Sequence, residues 1–555
     1  MANPINRVPS IWTTGWTDIL NTGTWRNAVA VHQKKPAPCY GACPMDGDIP
    51  LWVHLARSDD FKGAWRTLAE NNPIPATIGR TCHHPCEKSC NRSEYDGAVA
   101  INALEQYLGD LAIHEGWAFS PPLEESDKKV AVIGGGPAGL SCAYQLRRKG
   151  FRVTIYDANP ELGGVLRYGV PEFRLPKKVL AAEIAKIVDL GVDVVTERKM
   201  RGTDLDELRR QYAAVFVAFG AHNPKKLPQF PVENSRIIDG LDFLRSVRSG
   251  APLYLGYNVI VIGGGSVAMD IAGSAIRLGR SARIISLEGR DVMPAPEDEI
   301  QDVLDEGSVI IDGAMVKSVE NVGAELILRC VKVELDPASP AGVIRPIELK
   351  DTEFNVKADT VILAVGQDPE LAEWKEIFKV ERSMVVVDGS YMTSCTGIFA
   401  AGDVAGSERF VSTAVGDGKR AANCIARYLG RQDEDKQQSF DQVPEVAFSE
   451  INTFYFPHEE RREREKADAL KRRADFREIR LGFSPEEAQH QAERCFSCGN
   501  CIECDNCFIF CPDMAIAKDS SIPLHYTVLD QYCKGCGCCL EECPRGAMGV
   551  MEESK

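Results

Sequence analysis

From Lys129 the chain reads VAVIGGGPAGLSCAYQLRRKGFRVTIYD, an apolar β-branched run, a glycine cluster, a stretch of helical length and a second apolar run ending at Asp157. The same order returns in NVIVIGGGSVAMDIAGSAIRLGRSARIISLE, which closes on Glu288. Both predict strand, tight turn, helix and strand, the start of a parallel α/β sheet. A third apolar run precedes Gly402 and Asp403 and leads into another helical stretch. Between the last of these and the cysteine-rich end, HEERREREKADALKRRADFREIR mixes both charge signs at helical spacing and predicts a solvated helix. Cys142, Cys330, Cys395 and Cys424 fall singly within these patterns and read as small buried hydrophobes.

The turns carry chemistry. Gly134, Gly136 and Gly139 are spaced to let backbone approach a pyrophosphate at a helix N-terminus, and Asp157 is placed for a ribose diol. In the second unit Gly263, Gly265 and Ala268 take the glycine places, Ser266 opens the helix, and Glu288 with Arg290 follows the second strand. A glycine triplet alone could be a structural turn, but strand, loop, helix, strand and acid in order favour a dinucleotide site. Two such folds in one chain are the usual arrangement where one holds FAD and the other brings a nicotinamide to it.

Eleven of the twenty cysteines lie between residues 495 and 543. They include Cys501-x2-Cys504-x2-Cys507-x3-Cys511-Pro512 and Cys533-x2-Cys536-x2-Cys539-x3-Cys543-Pro544. This is similar to the two-cluster bacterial ferredoxins, in which the fourth cysteine of each run serves the other cluster. The pattern assigns Cys501, Cys504, Cys507 and Cys543 to one [4Fe-4S] cube and Cys533, Cys536, Cys539 and Cys511 to the second. A pair of zinc ribbons is the alternative reading of Cys-x2-Cys; two tandem copies ending in Cys-Pro favour iron–sulfur and one-electron chemistry.

Length and charge narrow the rest. A chain of 555 residues has room for three or four domains, and 44% hydrophobic with 26% charged residues is ordinary for a water-borne protein. A net charge of -16 argues against nucleic acid. No apolar run has membrane-spanning length, and the start lacks a signal-peptide pattern, so the expected home is the reducing cytoplasm.

The stretch GGVLRYGVPEFRLPK, Gly163 to Lys177, resembles the flavin loop of the glutamate synthase small-subunit family, shared with the flavin half of dihydropyrimidine dehydrogenase and the large subunit of NADH-dependent ferredoxin:NADP oxidoreductase. Met293 to Ala295 and ADTVILAVGQDP extend the likeness, and YCKGCGCCLEECPRGAM resembles the delta subunit of 2-oxoacid:ferredoxin oxidoreductases. The resemblance implies FAD contacts from Gly164, Arg167, Gly402 and Asp403. It also implies a [4Fe-4S] cluster on Cys43, Cys82, Cys86 and Glu105, against which a solvated helix carboxylate is the plain reading of Glu105. His83 and His84 have no role in it and read as surface residues. The family's remaining N-terminal cluster needs a Cys-x2-Cys pair upstream of Cys39, where this chain reads Val31-His-Gln-Lys34. The unassigned Cys495-x2-Cys498 resembles the missing element, so Cys39, Cys90, Cys495 and Cys498 are a candidate fourth set, with remnant or zinc-binding cysteines as the alternative. Trp12, Trp16 and Trp25 read as packing residues before an interface.

The expected fold is therefore multidomain α/β. It comprises a helical iron–sulfur domain (1–125), a disulfide-reductase-like FAD domain in two parts (126–222 and 366–429), an inserted Rossmann-type NAD(P) domain (223–365), a linker (430–494) and an α+β ferredoxin domain (495–555). The expected activity is NAD(P)H:acceptor electron transfer through FAD and three or four [4Fe-4S] clusters to or from a ferredoxin or partner enzyme, such as a 2-oxoacid oxidoreductase or a sulfur-metabolism enzyme, within a hetero-oligomer. NADH is expected over NADPH, because family members using NADPH usually carry an Arg-Arg pair where this chain has Glu288. A glutamate synthase small subunit, a non-catalytic redox scaffold or sensor, and an electron-bifurcating role are the alternatives.

Overall fold

The computed structural model describes residues 21, 23, 26–231, 234–323, 325–339, 344–431, 443–519 and 526–553; Trp12, Trp16 and Trp25 lie outside them. Five parallel strands form the first sheet in the order Ile398–Ala400, Ala214–Val217, Lys129–Ile133, Arg152–Tyr156, Val192–Val195. Its central strand is apolar on both sides because both faces are covered. Val130 and Val132 pack toward the layer holding helices Pro137–Arg148 and Val411–Tyr428, while Ala131 and Ile133 meet Leu205, Trp374 and Phe378 on the other side.

The second unit repeats the logic. Its parallel sheet runs Val309–Ile311, Ser281–Ile285, Asn258–Ile262, Thr360–Leu363, Ile237–Asp239. Val259 and Val261 face helix Ser266–Arg277, whereas Ile260 and Ile262 pack on an antiparallel sheet built around Glu325–Leu335. The chain enters and leaves this unit side by side, Asn223–Pro224 pairing with Gln367–Asp368.

Short helices from Pro38 to His114 make the N-terminal unit. Its two packed helices, Pro75–Thr81 and Ile101–His114, touch backbone to backbone at Gly79 and Gly109, where an added Cβ would come within 2.5 Å of Gln106 and 2.1 Å of Ala76. The carboxylate of Glu183, from the flavin-side helix Lys177–Val188, accepts from the amides of Ala76 and Thr77 at 2.6 and 2.8 Å and so ties this unit to the first sheet.

Two segments depart from the sequence reading. Ala28–His32 is not part of a helical region; it is a strand, antiparallel to Met548–Glu552, so the two ends of the chain share one sheet. Residues 458–480 are not a solvated helix either; only Ala469–Arg472 is helical, with a bridge between Lys466 and Arg480. The cause is where the arginines go. Arg461 pairs with Glu87 at 2.8 Å, Arg464 donates to Gly79 O and Gln106, Arg472 pairs with Glu306 at 2.9 Å, and Arg480 with Asp302 at 2.8 Å. A regular helix would spread these groups around its axis, whereas an extended strap carries them to partners on both the N-terminal and the nucleotide units. Of the single cysteines, Cys142, Cys330 and Cys424 are buried and Cys395 is half-exposed.

Candidate redox site

A cleft of about 1640 Å³, open mouth included, runs along the C-terminal edge of the first sheet. Gly134, Gly136, Asp157, Gly164, Gly402 and Asp403 line it. Gly134 has φ +104° and a Cβ there would sit 2.4 Å from Ala218 O, so only glycine fits the turn. At Gly136 a Cβ would meet nothing nearer than Gly164 Cα at 3.9 Å and would project into the cleft, the opening a bound pyrophosphate needs. Asp157 is buried; one oxygen accepts from Gly135 N and the other from Asn159 N, each at 2.8 Å, which fixes the loop. Asp403 is pushed up by burial, opposed by Arg409. Gly139 does not line the cleft but lets the helix pack onto the turn.

Arg167 does not line the cleft. Its guanidinium turns back to Leu162 O at 2.7 Å and Glu161 at 3.2 Å, bracing the loop and leaving the cleft wall to its neighbours Val165 and Leu166. Arg198, Lys199, His222, Arg245 and Arg409 also line the cleft, none of them marked by a sequence motif. Arg245 comes from helix Gly240–Ser249 and the others from loops, and only the fold brings them together.

In the second unit Gly263 has φ +135° and faces Ala364 O, while a Cβ on Gly265 would meet nothing within 4 Å. Ser266 starts the helix and Ala268 is fully buried against the strand layer. The Met293–Ala295 segment backs the turn, Ala295 N donating to Gly264 O at 3.1 Å. Glu288 accepts from Ser286 Oγ at 2.7 Å. Arg290 is held by Glu297 through two hydrogen bonds of 2.8 and 2.6 Å.

The cysteines gather in four places. Cys43, Cys82, Cys86 and Glu105 line one cavity, and Cys39, Cys90, Cys495 and Cys498 another. Cys511, Cys533, Cys536 and Cys539 surround a third, with Cys538 beside them. Cys501, Cys504, Cys507 and Cys543 lie together as the crossed ferredoxin pattern requires. Among the described residues no three such side chains converge tightly on a point for a single ion. Three of the four sets line a cavity, the arrangement a multi-iron cube needs. Glu105 is buried rather than solvated; it accepts from Asn72 Nδ2 at 2.8 Å, and burial pushes its carboxyl up to about 8. Burial likewise pushes the Cys43 thiol to about 11 and Cys82 to about 12, so metal charge is what would ionise this set. The donor types and the surrounding space thus fit iron–sulfur clusters.

Cleft and cavity adjoin. Phe410 and Val411 line the cleft, and Phe410 reaches the residue next to Cys82. His83 is not a surface residue: it is half-buried, both ring nitrogens lack partners, and the ring packs edge-on to Phe410 at 4.5 Å. His84 is half-buried too, its amide donating to Cys82 Sγ at 3.2 Å.

Among the described residues no helix is long and apolar enough to cross a membrane. Residues 128–418 match the family model of the pyridine nucleotide-disulphide oxidoreductases, and residues 24–117 match that of dihydropyrimidine dehydrogenase domain II, a 4Fe-4S cluster domain. The chain is 34% identical to the NADP(+)-dependent formate dehydrogenase subunit beta of Moorella thermoacetica, over 83% of this chain and 70% of that protein. It is 30% identical to the NADPH-Fe(3+) oxidoreductase subunit beta of Geobacter sulfurreducens over 85% and 77%. With the NAD-dependent dihydropyrimidine dehydrogenase subunit PreT of Escherichia coli K12 it shares 33% identity over 71% and 91%. Mycobacterium tuberculosis FprA in complex with NADPH superposes with a TM-score of 0.49 at 15% identity, covering 66% of this chain and all of that one. The chain belongs to the pyridine nucleotide-disulphide oxidoreductase family, as an NAD(P)H-dependent oxidoreductase that uses FAD and [4Fe-4S] iron–sulfur chemistry to pass electrons.

Proposed function

We propose that this protein is the nicotinamide-oxidising flavin subunit of a larger assembly, exchanging a hydride with NADH at one end and single electrons with a partner enzyme or ferredoxin at the other. FAD supplies the conversion, since it takes two electrons as hydride and releases them one at a time. The residues do the positioning. Gly134, Gly136 and the N-terminus of helix Pro137–Arg148 receive the pyrophosphate, Asp157 the ribose, and Gly402 with Asp403 the ribityl end. Gly263, Gly265 and Ser266 do the same for the nicotinamide nucleotide.

The observation that carries this reading is the contact of the cleft-wall ring Phe410 with His83, at 4.5 Å. His83 follows Cys82 directly, so the flavin cleft adjoins the cavity of Cys43, Cys82, Cys86 and Glu105. The ferredoxin region, with Cys504 and Cys536 exposed, is the natural outlet. The relatives named as subunits beta support a hetero-oligomer whose other member defines the acceptor. The outlet domain favours this reading over a free-standing glutamate synthase small subunit, and the reducing cytoplasm suits exposed cluster ligands.

NADH is the preferred nucleotide. Glu288 follows the second strand where a 2'-phosphate would sit, and the cation that could offset it, Arg290, is engaged by Glu297. At ~4 Å and an effective dielectric near ~20, like unit charges repel by up to about 4 kcal/mol. The expected kcat/KM for NADH exceeds that for NADPH by about tenfold or more, and Glu288→Ala narrows the ratio. Steady-state reduction of ferricyanide with each nucleotide checks this; equal specificity constants contradict it.

A further inference from the structure

We infer that Cys39, Cys90, Cys495 and Cys498 hold a [4Fe-4S] cluster built half from each end of the chain, its negative charge balanced by a cage of three buried arginines. The electron route proposed above gives this site its use, but the site itself stands on geometry and charge. The matched 4Fe-4S family segment ends at residue 117, so two of the four ligands lie far outside it.

The local backbone at Cys495 is shaped like that at the other cysteine loops. Ser497 is left-handed, φ +51°, and its amide donates to Cys495 Sγ at 3.3 Å. Glu503, φ +56°, does the same for Cys501 at 3.4 Å, and His84, φ +40°, for Cys82 at 3.2 Å. Non-glycine residues enter this region rarely and at a cost, so the shared turn two residues past a cysteine marks a ligand loop, in which an N–H is aimed at sulfur. Asn91 adds a side-chain donor to Cys498 Sγ at 3.5 Å.

Charge is the second observation. Arg92, Arg494 and Arg545 are only 1%, 0% and 4% exposed. Arg92 and Arg494 share one carboxylate, Asp96, at 2.6 and 2.9 Å. Arg545 donates to the carbonyls of Cys495 and Phe496 and lies 4.6 Å from the Phe456 ring, with its Nε unpartnered. Three guanidinium ions against one carboxylate leave two buried positive charges, and an uncompensated buried ion costs several kcal/mol. Neutral thiols would not relieve it. Four thiolates on an oxidised cube form a doubly negative unit, which does. A zinc tetrathiolate would carry the same charge, and the metal content of the protein separates the two.

The position explains the use. Ile49 and Ile101 line both this cavity and that of Cys43, and Cys39 and Cys43 stand at the two ends of one short helix. On the other side Cys498 lies three residues from the ferredoxin ligand Cys501. The site is thus the joint between the flavin-side cavity and the ferredoxin region, and the strand pairing of Ala28–His32 with Met548–Glu552 holds the two ends in register.

The test uses the whole reconstituted chain, reduced with dithionite so that no readout depends on NAD(P)H or flavin turnover. Wild type should contain about sixteen irons, and Cys495→Ser/Cys498→Ser should lose about four with matching sulfide, while FAD and the ferredoxin signals remain. Unchanged iron in the variant, or loss of zinc in place of iron, overturns the inference. Should the double variant fail to fold, Arg545→Gln keeps all four thiols. One electron-paramagnetic-resonance signal should then move to lower midpoint potential, because the lost cation favoured the more negative reduced cluster. Signals that all stay in place defeat the proposal and leave the assignment of the flavin cleft intact, which bleaching by NADH tests separately.

Discussion

Gly139→Val is expected to give protein that retains its iron–sulfur clusters but carries no FAD. A Cβ at this position would stand 1.9 Å from Gly134 O and 3.2 Å from Val132 Cγ1. The helix cannot yield outward, because it is packed against Val411–Tyr428, where a Cβ on Gly418 would already be 2.2 Å from Ala138 O. Nor can the turn retreat, since Gly134 is held by its amide bond to Tyr156 O at 2.8 Å and abuts Ala218. Overpacking of this kind costs roughly 1–3 kcal/mol even where neighbours can shift, and here the neighbours are backbone. The distortion falls on the loop that would cradle the pyrophosphate. Flavin absorbance after reconstitution, alongside iron per chain, checks it; a variant with full FAD content would contradict the assignment of this cleft.

Arg472→Met is expected to loosen the nucleotide unit from the rest of the molecule. Arg472 and Glu306 have side chains 2% and 1% exposed and are paired at 2.9 Å, with Arg277 completing the cluster at 2.5 Å from Glu306. Removing Arg472 leaves Glu306 to Arg277 alone and takes a cation from Asp302, and breaking a buried ion pair costs up to about 3–5 kcal/mol. Because the strap bearing Arg472 also contacts the N-terminal unit through Arg461 and Arg464, the loss falls on domain orientation. Flavin reduction by NADH should slow and the apparent melting temperature drop. The exposed pair Lys317–Glu348 is the control, and Lys317→Ala should change neither. Unaltered flavin reduction in Arg472→Met would mean that the strap does not set the approach of nucleotide to flavin.

The glycine turns and the Cys-x2-Cys loops were legible because each is a local demand of backbone on sequence. Gly134 has to be glycine at φ +104°, and Cys-x2-Cys spacing is the ligand loop itself. What stayed hidden is non-local. Arg167 sits in the most diagnostic motif of the chain, yet its direction is decided by the carbonyl of Leu162. The charged run at 458–480 has helical spacing, but its arginines gain more from Glu87, Asp302 and Glu306, each well over a hundred residues away, than from neighbours one turn along. Likewise AVAVH at Ala28–His32 finds its partner strand only at the opposite end of the chain. The arginines around Cys39 and Cys498 carry no motif, because a charge cage is defined by burial and not by spacing.

In the proposed reaction a hydride taken at the flavin leaves as single electrons through the cysteine sets. Anaerobic titration of the reconstituted chain with NADH, followed by absorbance and electron paramagnetic resonance, addresses it directly. The flavin should bleach, reduced [4Fe-4S] signals should grow with it, and more than one equivalent of NADH should be consumed per flavin. Bleaching that ends at one equivalent with no cluster signal would contradict it, leaving a flavoprotein whose cysteines take no part in electron transfer.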